Sequence, residues 1–465
     1  MNGYNPMTDI QNLPLTKRHI YIVTVSSMEQ IIGASLSTIV GIVLPLLNLF
    51  VRPELSATTQ GIMGATGLVG IAVGSAVIGP LSDRQGYLNW FRTCAVLIIL
   101  GSLIASFKAE ALTICIGMFV AGFGVGGGYT LDSAYISELM PDRWRNFMVG
   151  VAKASCAIGF LLPALIAVII LHFDASPRVW RDIVWIMGGL GVITLVMRIC
   201  WAESPRWLVT KGRTQEALKA AQFFFGKNVS LPLSITDKNK KLTPSAATTG
   251  STALFKGKNL LRVIYSGIPW ACEGLGVYGI GVFLPLLIMA LGIDNTHAEG
   301  IAKIINSVEL TAVINFCILP GFIIGLLIVE KINNATMLWV GFVGSALGMG
   351  LLLAAYLMHW PLWVSVAAFI IFEVMLNGGP HLVTYIIPAV IYPVQDRGAG
   401  SGVADFLGKL GAILGVFFMP LWLKEGGVTL VLEITTGVMM LGAVISIVFS
   451  RILGLNTSKD DSRKA

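Results

Sequence analysis

A membrane-crossing helix needs about 20 consecutive, mostly apolar residues. The chain offers twelve candidates, at Tyr21–Leu47, Thr59–Gly79, the shorter Thr93–Phe107, Leu112–Tyr135, Met148–Leu171, Ile183–Trp201, Leu261–Leu291, Ala302–Val329, Met337–Met358, Leu362–Ile387, Gly400–Leu423 and Val428–Leu453. Most polar stretches between them are short. The exception runs from Ala202 to Lys258, where Lys227, Lys238, Lys240 and Lys241 stand among Ser, Thr and Pro. Within it, Thr214–Phe225 has the spacing of a short amphipathic helix lying at the membrane surface, and the remainder reads as linker. The pattern predicts an all-α membrane protein with residues 1–201 as an N-terminal six-helix half, residues 202–258 as a connecting segment, and residues 259–465 as a C-terminal six-helix half with a short tail.

The halves repeat one another. Gly41-Ile42-Val43-Leu44-Pro45-Leu46-Leu47 closes the first segment, and Gly281-Val282-Phe283-Leu284-Pro285-Leu286-Leu287 closes the seventh. Pro141, Arg145 and Gly150 recur in register as Pro393, Arg397 and Gly402. Parallel repeats of this kind place a solute site at mid-membrane between the two halves.

Composition agrees with this class. The chain is 55% hydrophobic and only 12% charged, against roughly 25% charged in a soluble domain. The net charge of +7 is explained by topology. With the N-terminus cytoplasmic, the outer loops hold only Arg52, Lys108, Arg178, Arg181 and Lys424, with Lys303 just inside the eighth segment. The other basic residues fall inside, so both termini are expected in the cytoplasm. That distribution is not the footprint of a nucleic-acid partner. The six cysteines all lie in apolar segments and have no ligand spacing, as expected of reduced packing residues. Residues 1–16 lack the charged-then-apolar pattern of a cleavable signal.

Three motifs then carry a resemblance. Gly79-Pro80-Leu81-Ser82-Asp83-Arg84-Gln85-Gly86 resembles the signature loop of the major facilitator superfamily. Glu138-Leu139-Met140-Pro141-Asp142-Arg143-Trp144-Arg145 looks like that superfamily's sugar-porter motif. Glu203-Ser204-Pro205-Arg206-Trp207-Leu208, with Gly212-Arg213, is similar to the motif after the sixth helix in sugar porters and in organic-ion and synaptic-vesicle-glycoprotein-like transporters. The resemblance implies two pseudo-symmetric six-helix halves that rock about a central cavity. It also implies a cytoplasmic gate built from Asp83, Arg84, Glu138, Arg145, Glu203, Arg206 and Arg397, all at helix ends where carboxylates and guanidinium groups pair. The chain departs from sugar porters at Pro269-Trp270-Ala271-Cys272-Glu273-Gly274, where they carry paired glutamines. Their sugar-contacting groups are therefore not carried over.

Ionisable residues at membrane depth cost about 2.5–3.5 kcal/mol each and mark function. This chain has Glu29, Asp132, Lys153, Glu273, Glu309, Glu373, His381, Asp405 and Lys409. Glu29, Glu273 and Glu309 are the candidates for proton coupling. Glu373, Asn377, His381 and Tyr385 recur every four residues and form one face of the tenth helix. With Trp270 they are the candidates for solute contact. Gly378, Gly379 and Pro380 predict a bend there. Gly122-Phe123-Gly124-Val125-Gly126-Gly127-Gly128 lies inside a membrane segment and reads as close packing, not a phosphate loop. No Walker loop, metal cluster or nucleophile–base set is present, so no cofactor is expected and an enzyme is disfavoured. The expected function is secondary transport of a small polar or charged organic solute, coupled to protons, by a monomer in the plasma membrane, or in the inner membrane of a bacterium. Uniport of a sugar or polyol, and a non-transporting nutrient sensor, are the alternatives.

Overall fold

The computed structural model describes residues 15–50, 54–199, 201–225, 255–292, 299–329, 331–392 and 397–455. Helix dominates throughout. Spans 1–6 are Lys17–Leu49, Ala57–Ser82, Tyr87–Phe107, Ala111–Asp132, Phe147–Phe173 and Pro177–Ile199. Span 7 is the bent pair Gly257–Ile280 and Leu284–Leu291, and spans 8–10 are Ile301–Ile328, Asn334–Leu357 and Leu362–Pro388. The last stretch, Gly400–Ile452, has 53 residues. At about 1.5 Å per residue it would be about 80 Å long, far more than the roughly 30 Å hydrocarbon core. It breaks at Gly427, whose φ of 63° and ψ of −161° are not helical. A residue with a β-carbon rarely adopts that backbone. Residues 400–426 are therefore span 11 and residues 428–452 span 12, giving twelve spans in the described residues, as the sequence pattern predicts.

Span 7 departs from the continuous Leu261–Leu291 segment expected. It bends by 65° between Ile280 and Leu284, directly after six residues in π-helical conformation at Leu275–Ile280. Pro285 has no N–H to donate to the preceding turn, and such a position is where a helix breaks. Span 10 breaks at Gly379, where φ is −116° and ψ is −95°, and restarts at Pro380. The expected bend is found there.

The glycine run of span 4 packs against span 2. A β-carbon at Gly122 or Gly126 would collide with the carbonyl oxygens of Gly67 and Ile71. Small residues permit this approach, and close packing drives helix association where lipid removes the hydrophobic drive. Helix Thr214–Phe225 buries Ala217, Ala220, Ala221 and Phe224. The Phe224 ring meets Tyr135 of the fourth helix at 6.0 Å, and Phe225 meets His19 at 5.1 Å. Its apolar face covers the ends of spans 1 and 4. The rest of the connecting segment, with its four lysines, lies outside the described residues, as does Cys200. The five described cysteines are free.

Spans 1, 6, 7 and 12 place residue 17, residues 201–225, residue 257 and residue 455 at one end of the bundle, called the near side below. At the far side the halves meet. Gly41 of span 1 sits against the carbonyl of Val282 in span 7, and Gly61 of span 2 against the carbonyl of Phe417 in span 11. The two copies of the repeated Gly-x-x-x-Pro segment thus face each other across the pseudo-twofold axis. Midway down, Asn315 Nδ2 of span 8 donates to the Phe160 carbonyl of span 5 at 2.9 Å.

Candidate functional site: the cavity between the halves

A cavity of about 830 Å³ separates the halves. It runs from Leu68 and Tyr278 at mid-depth to Gly150, Val390 and Gly402 at the near side. With the halves in contact at the far side, the cavity among the described residues opens toward the end that holds residues 17 and 455. Four aromatic residues line it, Tyr129, Trp270, Tyr278 and Tyr385. Trp270 and Tyr385 meet edge to face at 6.2 Å. The charged lining residues are Lys153, Glu273, Asp405 and Lys409, with His381 beside them. Lys409 is committed: its Nζ lies 2.6 Å from Asp405 Oδ2 and donates to Ser75 Oγ of span 2 at 2.7 Å.

The structure divides the predicted polar stripe of span 10. His381 and Tyr385 reach the cavity, as does Trp270 of span 7. Asn377 and Glu373 are buried behind His381. Asn377 Nδ2 donates to Glu373 Oε2 at 2.9 Å, and Asn377 Oδ1 lies 2.8 Å from His381 Nδ1. Because the Asn377 amide nitrogen is used on Glu373, its oxygen faces the histidine and must accept. His381 Nδ1 therefore carries a hydrogen. Its Nε2 points toward Glu273 Oε1 at 3.7 Å. The Phe322 ring covers the imidazole at 5.1 Å.

A second buried group lies in the N-terminal half, beside the cavity-lining residues Gln30, Tyr129 and Thr130. Arg198 Nη1 donates to Glu29 Oε1 at 2.9 Å, and Arg198 Nη2 to Asp132 Oδ1 at 2.7 Å. Neither Arg198 nor Glu29 has exposed side-chain surface, and Asp132 has 3%. The guanidinium lies over the Phe91 ring at 4.1 Å and near Trp201 at 5.4 Å. Gly128 makes room for Glu29, since a β-carbon there would stand 2.5 Å from its carboxyl carbon. Sequence reasoning named Glu29 and Asp132 but missed Arg198, because a basic residue in the last turn of a span reads as an interfacial charge. The signal available was charge balance: two carboxylates on spans 1 and 4 need a cation at the same depth.

Glu309, the third proton-coupling candidate, is not among the cavity-lining residues. Its carboxylate, 45% exposed, lies 3.3 Å from His172 Nε2 of span 5. Of the gate candidates, Glu203 and Glu138 form a knot within the N-terminal half. Glu203 accepts from the backbone N–H groups of Tyr87 and Leu88, each at 3.0 Å, and so caps span 3. Glu138 accepts from Tyr87 Oη at 3.1 Å and from Ser204 Oγ. Gly86, with φ of 99°, lies against the Glu203 carboxylate and leaves it room. Arg84 is exposed and Arg206 half-buried beside this knot. The side chains of Asp83, Arg145 and Arg397 lie outside the described residues, although their backbones are helical.

Twelve spans in two halves about a one-sided central cavity define a membrane transporter of the major facilitator type. Residues 11–452 match the family described as "Sugar (and other) transporter", and the chain belongs to that family. Its members are transporters and not enzymes. The inner membrane metabolite transport protein YgcS of Escherichia coli is 23% identical over 446 residues, covering 94% of this chain and 92% of YgcS. The glucose transporter GlcP of Staphylococcus epidermidis is 25% identical, covering 80% of this chain and 81% of GlcP. The xylose transporter XylE of E. coli, in a partially occluded inward open conformation, superposes with a TM-score of 0.78 at 18% identity, covering 93% of this chain and 98% of XylE. Another structure, described as the proton:xylose symporter XylE, has a TM-score of 0.72 at 19% identity and covers 93% of this chain and 95% of XylE.

Proposed function

We propose that this chain is a proton-coupled symporter of a small polar or charged organic solute. It works by alternating access in a bacterial inner membrane, with both termini cytoplasmic. The observation that carries the coupling is the sealed group of Glu29, Asp132 and Arg198, in which two carboxylates share one guanidinium. With both acids ionised the group bears an uncompensated buried charge, which is costly. One proton on either acid leaves it neutral. All three residues lie in the N-terminal half, so rocking of the halves need not break their contacts. What changes is the access of Gln30 and Thr130, beside them, to one face of the membrane or the other. A proton taken up on one side and released on the other follows from that change. The proton symport named for XylE supports the same reading.

The test is reconstitution into liposomes. An imposed inward proton gradient should accumulate solute in the wild type. Glu29→Gln should keep solute exchange at equal concentrations and lose gradient-driven accumulation. Unaltered accumulation in Glu29→Gln and in Asp132→Asn would overturn the coupling site. Absence of any solute flux from a broad panel of sugars, acids and amines would favour a sensor.

A further inference from the structure

The cavity walls are not balanced in charge. Lys153 enters from span 5, with its Nζ 6.0 Å from the centre of the Tyr385 ring. Among the described residues no carboxylate comes within ion-pair distance of it, although Glu273 lies near enough to feel its charge, whereas the other cavity amine, Lys409, is paired with Asp405 at 2.6 Å. Across the cavity, Glu273 is 2% exposed and its Oε1 has no hydrogen-bond donor. The nearest polar partner is His381 Nε2 at 3.7 Å. His381 Nδ1 is already committed to Asn377. The one place for a proton between the two side chains is therefore the gap between Nε2 and Oε1. A single proton there gives Glu273 Oε1, which has no other partner, a bond to Nε2, and the pair is neutral whichever atom holds it. Buried charges without a partner are costly, so the neutral arrangement is the one this wall supports. That leaves Lys153 as the net charge of the solute site. It stands beside an aromatic corner formed by Tyr385 and Trp270.

We propose that the transported solute is a small monocarboxylate on a flat, unsaturated body. Its carboxylate sits on Lys153 and its body lies against Tyr385 and Trp270. Lysine binds a carboxylate as a point charge with three donors, and a planar body gains offset or edge contacts with the two rings. The assignment rests on the symport reading above and names its cargo. One proton on the Glu29–Asp132–Arg198 group and one anion on Lys153 would cross together without net charge movement.

The experiment is calorimetric binding to the purified full-length protein in detergent. The probes are 4-hydroxybenzoate, its neutral amide 4-hydroxybenzamide, D-xylose, D-glucose and inorganic phosphate. The acid is expected to bind and the amide to bind at least tenfold more weakly. Lys153→Gln should weaken the acid by tenfold or more without lowering the melting temperature, and Lys153→Arg should recover most of the affinity. Equal binding of acid and amide, binding of phosphate or a sugar alone, or unchanged affinity in Lys153→Gln would each overturn the assignment. Failure here is separable from failure of the coupling reading. Proton-driven accumulation of a sugar that survives Lys153→Gln would sink the carboxylate and leave symport standing. Lys153-dependent binding of the acid without proton-driven uptake would do the reverse.

Discussion

Arg198 Nη2 stands 2.7 Å from Asp132 Oδ1, and neither group is open to solvent. The same guanidinium reaches Glu29 with its other terminal nitrogen, so spans 1, 4 and 6 are tied at one point. Breaking such a buried set by removing one partner costs about 3–5 kcal/mol, because the remaining charges stay buried. Arg198→Met should therefore lower the melting temperature of the purified protein sharply. Adding Glu29→Gln and Asp132→Asn should restore much of it. If Arg198→Met melts like the wild type, the group contributes no cohesion.

Gly128 decides where the Glu29 carboxyl group sits. A methyl group there would lie 2.5 Å from Glu29 Cδ. Overpacking of this kind costs about 1–3 kcal/mol. Gly128→Ala is expected to destabilise modestly and to impair proton-driven accumulation more than solute binding. Measured side by side, equal losses of binding and accumulation would argue against a specific effect on Glu29.

Closure of the far side depends on Gly41. Even one methyl group at that position would meet the Val282 carbonyl. Gly41→Val should hold spans 1 and 7 apart and favour a state open at the far side. Spin labels on Phe173 and Lys303, both at the far end, should then report a longer distance in Gly41→Val than in the wild type. An unchanged distance would show that the contact adjusts without opening.

Glu203 serves span 3 as an N-terminal cap supplied from the end of span 6. Losing a side-chain cap costs about 0.5–2 kcal/mol. Glu203→Ala is expected to lower stability by about that amount, with Glu203→Gln milder, since an amide oxygen still accepts. A thermal melt separates the two. A larger loss in Glu203→Gln than in Glu203→Ala would mean that the cap is not the role of this residue.

Lys211 is exposed at the near side, and in the orientation proposed above that side is cytoplasmic. In a cysteine-free background, Lys211→Cys should resist a membrane-impermeant thiol reagent in whole cells and react after lysis. Rapid labelling of intact cells would invert the proposed orientation.

Much of the fold was legible because lipid imposes a simple rule. Backbone polar groups must be satisfied within each crossing segment, so twelve apolar runs mean twelve helices. The break between the last two spans fell at Gly427, inside the short polar gap that separates them in sequence. The repeat Gly41–Leu47 and Gly281–Leu287 was legible as a pattern. Its meaning was not, since nothing local says that Gly41 meets Val282.

The site was legible in part. Period alone put Glu373, Asn377, His381 and Tyr385 on one face of span 10, but a face is wider than a cavity wall. The break at Gly379 and the packing of span 8 leave Asn377 and Glu373 behind His381, where they fix its proton. Glu309 reads as a mid-span acid, yet its carboxylate is half exposed and pairs with His172. Arg198 was hidden because depth in a helix end depends on what covers it, here Phe91 and Trp201.

The sequence by itself determined the class: a chain this apolar, with this spacing of polar breaks and these three loop motifs, has to cross the membrane many times in two related halves. Tertiary structure alone decided which charges are compensated. Pairing is set by distances of 2.7 to 3.7 Å between side chains far apart in the chain, as for Lys409 with Ser75, Arg198 with Glu29, and His381 with Glu273. Lys153, with a ring beside it and no carboxylate within ion-pair distance among the described residues, is visible as the charge of the cavity only when the others have found their partners.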